Sequence, residues 1–190
     1  GGDFMDSGHA CGVLANGEAW CWGWGISGQL GNGSTGDQPY PVQVQTDTGP
    51  GGWSDWVKVR AGMGHSCGIR ADGSLWCWGN AEYGKLGNNT DSNTVYSRPQ
   101  RVHTDSGPSG WNDWVDVAPS NEFTCGIRSN GTAWCWGNPD YGSLGNDAAF
   151  QDFVLNWNSA RRPVQVDTDS SSPGWSDWVQ ITVTGGSACG

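Results

Sequence analysis

Seven cysteines stand at positions 11, 21, 67, 77, 125, 135 and 189, and in each of three pairs the second follows the first by ten residues. The first members recur after 56, 58 and 64 residues, so the chain is a tandem repeat. Each pair encloses a variant of one phrase: "CGVLANGEAWCWG", "CGIRADGSLWCWG" and "CGIRSNGTAWCWG". Two short β-favouring runs around Asn-Gly or Asp-Gly read as a hairpin. With Cys67 opposite Cys77, Arg70 faces Ser74 and a three-residue loop remains, Ala71-Asp72-Gly73, with Gly73 in the left-handed position. The same register leaves Ala15-Asn16-Gly17 and Ser129-Asn130-Gly131 in the other copies.

Side chains alternate along a strand, so Cys67, Ile69, Leu75 and Cys77 share one face, and Gly68, Arg70, Trp76 and Trp78 the other. Directly opposed residues lie about 4.5–5.5 Å apart at Cα, within reach of a disulfide. The spacing predicts Cys11–Cys21, Cys67–Cys77 and Cys125–Cys135 bridges, each worth about 2–3 kcal/mol in the loop-entropy picture. On the other face Trp76 is expected to lie over Gly68, whose missing side chain leaves room for the indole. Cys189 stands where the first cysteine of a fourth pair belongs.

Only 35% of residues are hydrophobic, yet the chain has 14 tryptophans and 32 glycines. Indoles then supply the buried area that aliphatic residues normally provide, between tight turns, and the expected class is all-β. A net charge of -10, with no basic cluster beyond Arg161-Arg162, repels phosphate backbones and argues against nucleic acid as a partner. Such acidity reads either as a solvated surface or as cation binding. No apolar run has the length of a membrane span, and the opening "GGDFMDSGHACG" without an initiator Met reads as a mature or internal piece. Zinc calls for Cys-x-x-Cys or Cys/His clusters and haem attachment for Cys-x-x-Cys-His, all absent from the sequence, whereas disulfides point to an oxidising compartment: extracellular, cell-surface or periplasmic.

One full unit runs from "GGWSDWVKV" through "AGMGHSCGIR", "ADG", "SLWCWG" and "NAEYGKLGNN" to "SRPQRVHTDSG". On Ala61, Gly62, His65, the "DG" turn, Trp78, Gly79 and the "YGKLG" of Tyr83 to Gly87, echoed by "GQLG" at 28–31 and "YGSLG" at 141–145, the chain resembles the regulator of chromosome condensation repeat family. The resemblance covers essentially all 190 residues. It implies a β-propeller, typically of seven four-stranded blades, and "WVKV", "CGIR", "LWCW" and "PQRV" are four strands to match. The units are 1–50, entered mid-blade, then 51–108, 109–172 and, at 173–190, the start of a fourth. About three repeats do not close a seven-bladed ring, so they are expected to belong to a larger propeller or assembly. The cysteine pairs and the "GWSDW" entry look more like secreted bacterial relatives than intracellular ones, and no functional residue of the family is carried over.

Catalytic groups are not identifiable, and the reading is of a protein that is not an enzyme. His9 and His65 hold equivalent places, but the third unit has Phe123 or Thr124 there and the fourth Ser187, so turn or core hydrogen bonding is expected of them rather than ligand duty. Asp47, Asp105 and Asp169 recur in "TD", and Asp55, Asp113 and Asp177 in "DW"; such residues are expected to cap turns, with a calcium site as the alternative if the two sets converge. No other cofactor or metal is expected.

Between "LGN" and the proline strand the spans are 13, 15 and 21 residues (Gly31 to Val44, Gly87 to Val102, Gly145 to Val166), while the cysteine spacing stays constant. A rigid frame with variable loops is a common design for recognition, with drift in unconstrained loops as the alternative. The third loop carries Phe150, Phe153, Leu155 and Trp157, followed by Arg161 and Arg162, and these six are the candidate binding residues. Asn32, Asn88 and Asn130 fit the glycan-acceptor pattern. The expected function is a non-enzymatic extracellular binding module for protein or glycan. A structural subunit of a surface filament, built from copies of itself, is the alternative, and an enzyme-inhibitor propeller a narrower one.

Overall fold

The computed structural model describes residues 8–105, 107, 109–145, 159–167, 175–184 and 187–189. Its thirteen strands form antiparallel sheets with no α-helix among the described residues. The first sheet holds β1 (His9–Val13), β2 (Ala19–Gly23) and β3 (Gln38–Gln43) in that order. The second holds β4 (Trp56–Ala61), β5 (His65–Arg70), β6 (Leu75–Asn80) and β7 (Val95–Arg101). A third repeats this with β8 (Trp114–Pro119), β9 (Phe123–Arg128), β10 (Ala133–Gly137) and β11 (Ala160–Gln165), and β12 (Thr182–Thr184) pairs with β13 (Ser187–Cys189).

Within each sheet the chain simply runs up and down, so every neighbour in space is a neighbour in sequence. Cys67 pairs with Cys77 and Ile69 with Leu75, and the same register recurs at Cys11 with Cys21 and at Cys125 with Cys135. Gly73 has φ +75°, and the Arg70 amide donates to Ser74 O at 3.0 Å, closing the three-residue loop. The turn has an internal lock: Asp72 Oδ1 accepts from the Ser74 amide at 2.9 Å and its hydroxyl at 2.5 Å, and Trp76 Nε1 donates to that hydroxyl at 2.8 Å. Asn130, Thr132 and Trp134 repeat the arrangement.

The sheets stack as blades with unlike faces in contact. The cysteine face of the first (Ala19, Cys21) packs with Trp56, Trp76 and Trp78 of the second. The cysteine face of the second (Cys67, Ile69, Leu75, Cys77) packs with Trp114, Trp134 and Trp136 of the third, and Cys125, Ile127 and Cys135 meet Ile181 of the fourth. Disulfide against indole is therefore the repeating junction. The register with the outer strand shifts after the second cysteine, between Cys77 and Gly79 and at the equivalent places in the other blades. Trp78 and Trp136 are fully buried.

One packing expectation changes. Trp76 is the register partner of Gly68, but the space above that glycine belongs to Trp56 of the adjacent strand. A Cβ at Gly68 would stand 2.7 Å from the Trp56 ring, and one at Gly126 would stand 2.8 Å from Trp114. The hairpin alone holds Trp76, whereas the whole blade decides what fills the gap.

Candidate binding face and the junctions behind it

Because each blade runs up and down, its turns alternate between two ends. One end carries the hairpin tips together with the "GWSDW" and "GWNDW" entries; the other carries the short turns at 62–64 and 120–122, the loops at 24–37 and 81–94, and residues 138–145 after β10.

The tip end is occupied by its own structure. Arg70 donates from Nε and Nη2 to the two carboxylate oxygens of Asp55 at 2.9 and 3.0 Å, and its guanidinium lies 4.2 Å over the Trp53 ring. Arg128 treats Asp113 and Trp111 alike, at 2.9, 2.9 and 4.1 Å. Trp53 also contacts Trp76 and Trp56, with centroids 4.8 and 5.5 Å away. Asp55 and Asp113, expected as turn caps, are instead ion-pair partners, and in "TD" the threonine does the turn work: Thr104 Oγ1 donates to Gly107 O at 3.1 Å. Each tip also accepts from the next blade, Trp56 N to Gly17 O at 2.9 Å and Trp114 N to Gly73 O at 3.0 Å.

The loop end presents charge. A 3-10 turn (Glu82–Gly84) follows β6, with Tyr83 at φ +60°, and a second (Asp140–Gly142) follows β10. Asn138 Nδ2 donates to Glu122 Oε2 at 2.7 Å and to Asp140 Oδ2 at 3.0 Å, drawing two carboxylates together. Glu82 lies near enough that it, burial, Glu122 and Asp140 together raise the Tyr83 hydroxyl above its ordinary value. Beneath them Lys85 is buried, its Nζ donating to Asn121 O at 3.3 Å, and burial pushes its pKa down. Glu82, Tyr83, Glu122 and Asp140 are scattered over 59 positions of sequence, and only blade stacking gathers them.

Of the six residues singled out in sequence, Phe150, Phe153, Leu155 and Trp157 lie outside the described residues. Arg161 is half-exposed and ion-paired: its Nη2 is 3.3 Å from Asp91 Oδ2, which also accepts from Ser159 Oγ at 2.5 Å. That contact pins the second long loop to the outer strand of the third blade. Arg162 lies beside His103, whose pKa falls through burial and then through that charge. The cysteines meet as paired: S–S distances are 2.10, 2.16 and 2.06 Å for 11–21, 67–77 and 125–135, with Cα separations of 4.1 Å, and Cys189 is exposed and free. Asn88 is buried with its Oδ1 bound to Thr90, while Asn130 is exposed at a tip. Among the described residues no group of three His, Cys, Asp or Glu could hold a metal ion, and no helix is long and apolar enough to cross a membrane.

Behind both ends runs a polar relay across the junctions. His65 Nε2 is 2.7 Å from Thr124 Oγ1 of the next blade; that hydroxyl donates to Lys85 O at 2.9 Å, and Trp136 Nε1 donates to the same carbonyl at 3.0 Å. One junction earlier, His9 Nε2 is 2.6 Å from Ser66 Oγ, and Ser66 and Trp78 both donate to Gln29 O, at 2.9 and 2.8 Å. Each hydroxyl has spent its one proton on a carbonyl, so the imidazole must be the donor, with its proton on Nε2. Burial depresses both imidazoles, His9 to about 4, so they are neutral at pH 7.

The regulator of chromosome condensation (RCC1) repeat matches residues 16–69 and 72–127, and a second description of the same repeat matches 56–85 and 114–143. The human E3 ubiquitin-protein ligase HERC2 is 32% identical over 142 residues, 74% of this chain and 3% of that protein. The ultraviolet-B receptor UVR8 of Arabidopsis thaliana is 29% identical over 141 residues, 73% of this chain and 29% of the receptor. Among solved structures, human WBSCR16 superposes with a TM-score of 0.68 at 18% identity, covering 93% of this chain and 40% of that one. Prp20p from Saccharomyces cerevisiae, described with binding properties to Gsp1p and histones, gives 0.68 at 16%, covering 92% and 39%. The chain thus spans well under half the length of these relatives, and its blades are those of a β-propeller. It belongs to the regulator of chromosome condensation (RCC1) repeat family.

Proposed function

We propose that the protein is a non-enzymatic propeller module that binds another protein through its loop end. The observation that carries this reading is the contrast between the ends. The tips of the second and third blades are consumed by Arg–Asp–Trp clasps. The loop end instead carries segments of unequal length and a carboxylate group formed by Glu82, Glu122 and Asp140. A partner surface bearing Lys or Arg suits that charge and the net -10 of the chain. The relatives support the class: Prp20p is described with binding to Gsp1p and histones, and a solved complex joins Kap60 to yeast RCC1.

The setting is an oxidising one, outside the cell or on its surface. Each blade hairpin is cross-linked in its buried interior, and such bridges persist where thiols are not kept reduced. Affinity capture with wild type, with residues 147–158 replaced by a Gly/Ser linker, and with Glu82→Lys/Glu122→Lys tests the assignment. Partners retained by wild type and lost by both loop-end variants, whose unfolding midpoints stay unchanged, support it. Partners lost instead in a tip variant such as Asp55→Ala would move the site to the other end.

A further inference from the structure

Three junctions can be compared at one pair of positions. His9 meets Ser66 at the first and His65 meets Thr124 at the second. At the third, the preceding blade presents buried Phe123, and the register puts Ala188 opposite Val183, as Ser66 lies opposite Ala61 and Thr124 opposite Pro119. In sequence, histidine therefore goes with a hydroxyl residue one repeat ahead, and Phe123 with Ala188.

The chemistry explains the pairing. In these buried junctions the hydroxyl proton goes to the Gln29 or Lys85 carbonyl, which leaves the oxygen able to accept from a donor, and the Nε2 proton needing an acceptor. Removing the hydroxyl alone strands a buried N–H, and removing the imidazole alone leaves the hydroxyl oxygen without a donor although it still donates to the carbonyl. Removing both strands nothing, and a larger ring on one side compensates for the smaller side chain on the other.

We infer that this residue pair is a matching rule between neighbouring blades: a blade carrying histidine at position 65 accepts a neighbour with Ser or Thr at 124, and a blade with an aromatic hydrocarbon there accepts one with alanine. His65 and Thr124 thereby specify which blade sits against which, over and above the disulfide and indole packing that all junctions share.

The test is a double-mutant cycle on the whole chain, read by denaturant unfolding at pH 7.5: His65→Phe, Thr124→Ala and the two together, with His9→Phe, Ser66→Ala and their combination as an independent second cycle. The mismatched single variants are expected to lower the folding equilibrium constant roughly tenfold each. The matched doubles are expected to return to within about threefold of wild type. If a single variant does not fold, recovery of folding in its double supports the rule, and failure of the double to fold overturns it. Losses in the doubles equal to the product of the singles also overturn it, as does a single variant that is as stable as its double.

Discussion

The imidazole of His65 and the hydroxyl of Thr124 stand 2.7 Å apart across the boundary between two blades, 59 residues apart in sequence. His9 and Ser66 make the same contact one blade earlier, at 2.6 Å. These pairs lie in the same junctions as the sulfur, aliphatic and indole packing.

Acid should loosen the junctions before it reaches the carboxylates. Burial holds the folded pKa of His9 near 4, against an unfolded value of 6.5, and holds that of His65 lower than ordinary as well. The neutral form is favoured in the fold, so the stabilisation is complete above pH 6.5 and is lost as pH falls toward 4. From His9 the loss is on the order of 3 kcal/mol. Unfolding midpoints measured between pH 7.5 and 4 should decline across that window, and His9→Phe/Ser66→Ala should flatten the decline.

Glycines at one register position should differ sharply. Gly68→Ala and Gly126→Ala place a methyl group 2.7 and 2.8 Å from the Trp56 and Trp114 rings, and overpacking of this kind costs about 1–3 kcal/mol. Among the described residues nothing lies within 4 Å of a Cβ at Gly12, their counterpart in the first blade, so Gly12→Ala should be close to neutral. Thermal melts of the three variants check this, and equal effects at all three would refute the packing described.

The Arg clasp should matter modestly. Arg70→Leu, which installs the residue that the first blade has as Leu14, removes a partly exposed ion pair and a guanidinium–indole stack. About 1 kcal/mol is expected, read by denaturant unfolding, with Asp55→Asn giving a similar loss and the double variant little more.

The loops should respond to Asp91. Asp91→Ala removes the acceptor shared by Arg161 and Ser159, and protease cleavage within 81–94 should quicken while the global unfolding midpoint moves by less than about 1 kcal/mol equivalent.

Local rules made the hairpins readable. The ten-residue spacing and Gly73, Gly17 and Gly131 specify one register, because an alternating strand permits no half-measures. What lay between elements was harder. Trp56, from another strand, fills the space that Trp76 was expected to take, and Asp55 reaches Arg70 because the blade entry returns beside the tip. The histidine column was visible as His9, His65 and Phe123, but its partner column of Ser66, Thr124 and Ala188 lies one repeat ahead and gains meaning only when blades are stacked. The carboxylates at 82, 122 and 140 belong to the same class: nothing local marks them, and the junction assembles them.

The account rests on hairpins stapled covalently behind a variable face, and thiol counting on the native protein addresses this directly. Alkylation under denaturing conditions without reductant, followed by peptide mapping, should label Cys189 and recover Cys11 with Cys21, Cys67 with Cys77, and Cys125 with Cys135 as linked peptides. Label on all seven cysteines, or links joining cysteines of different blades, would contradict it.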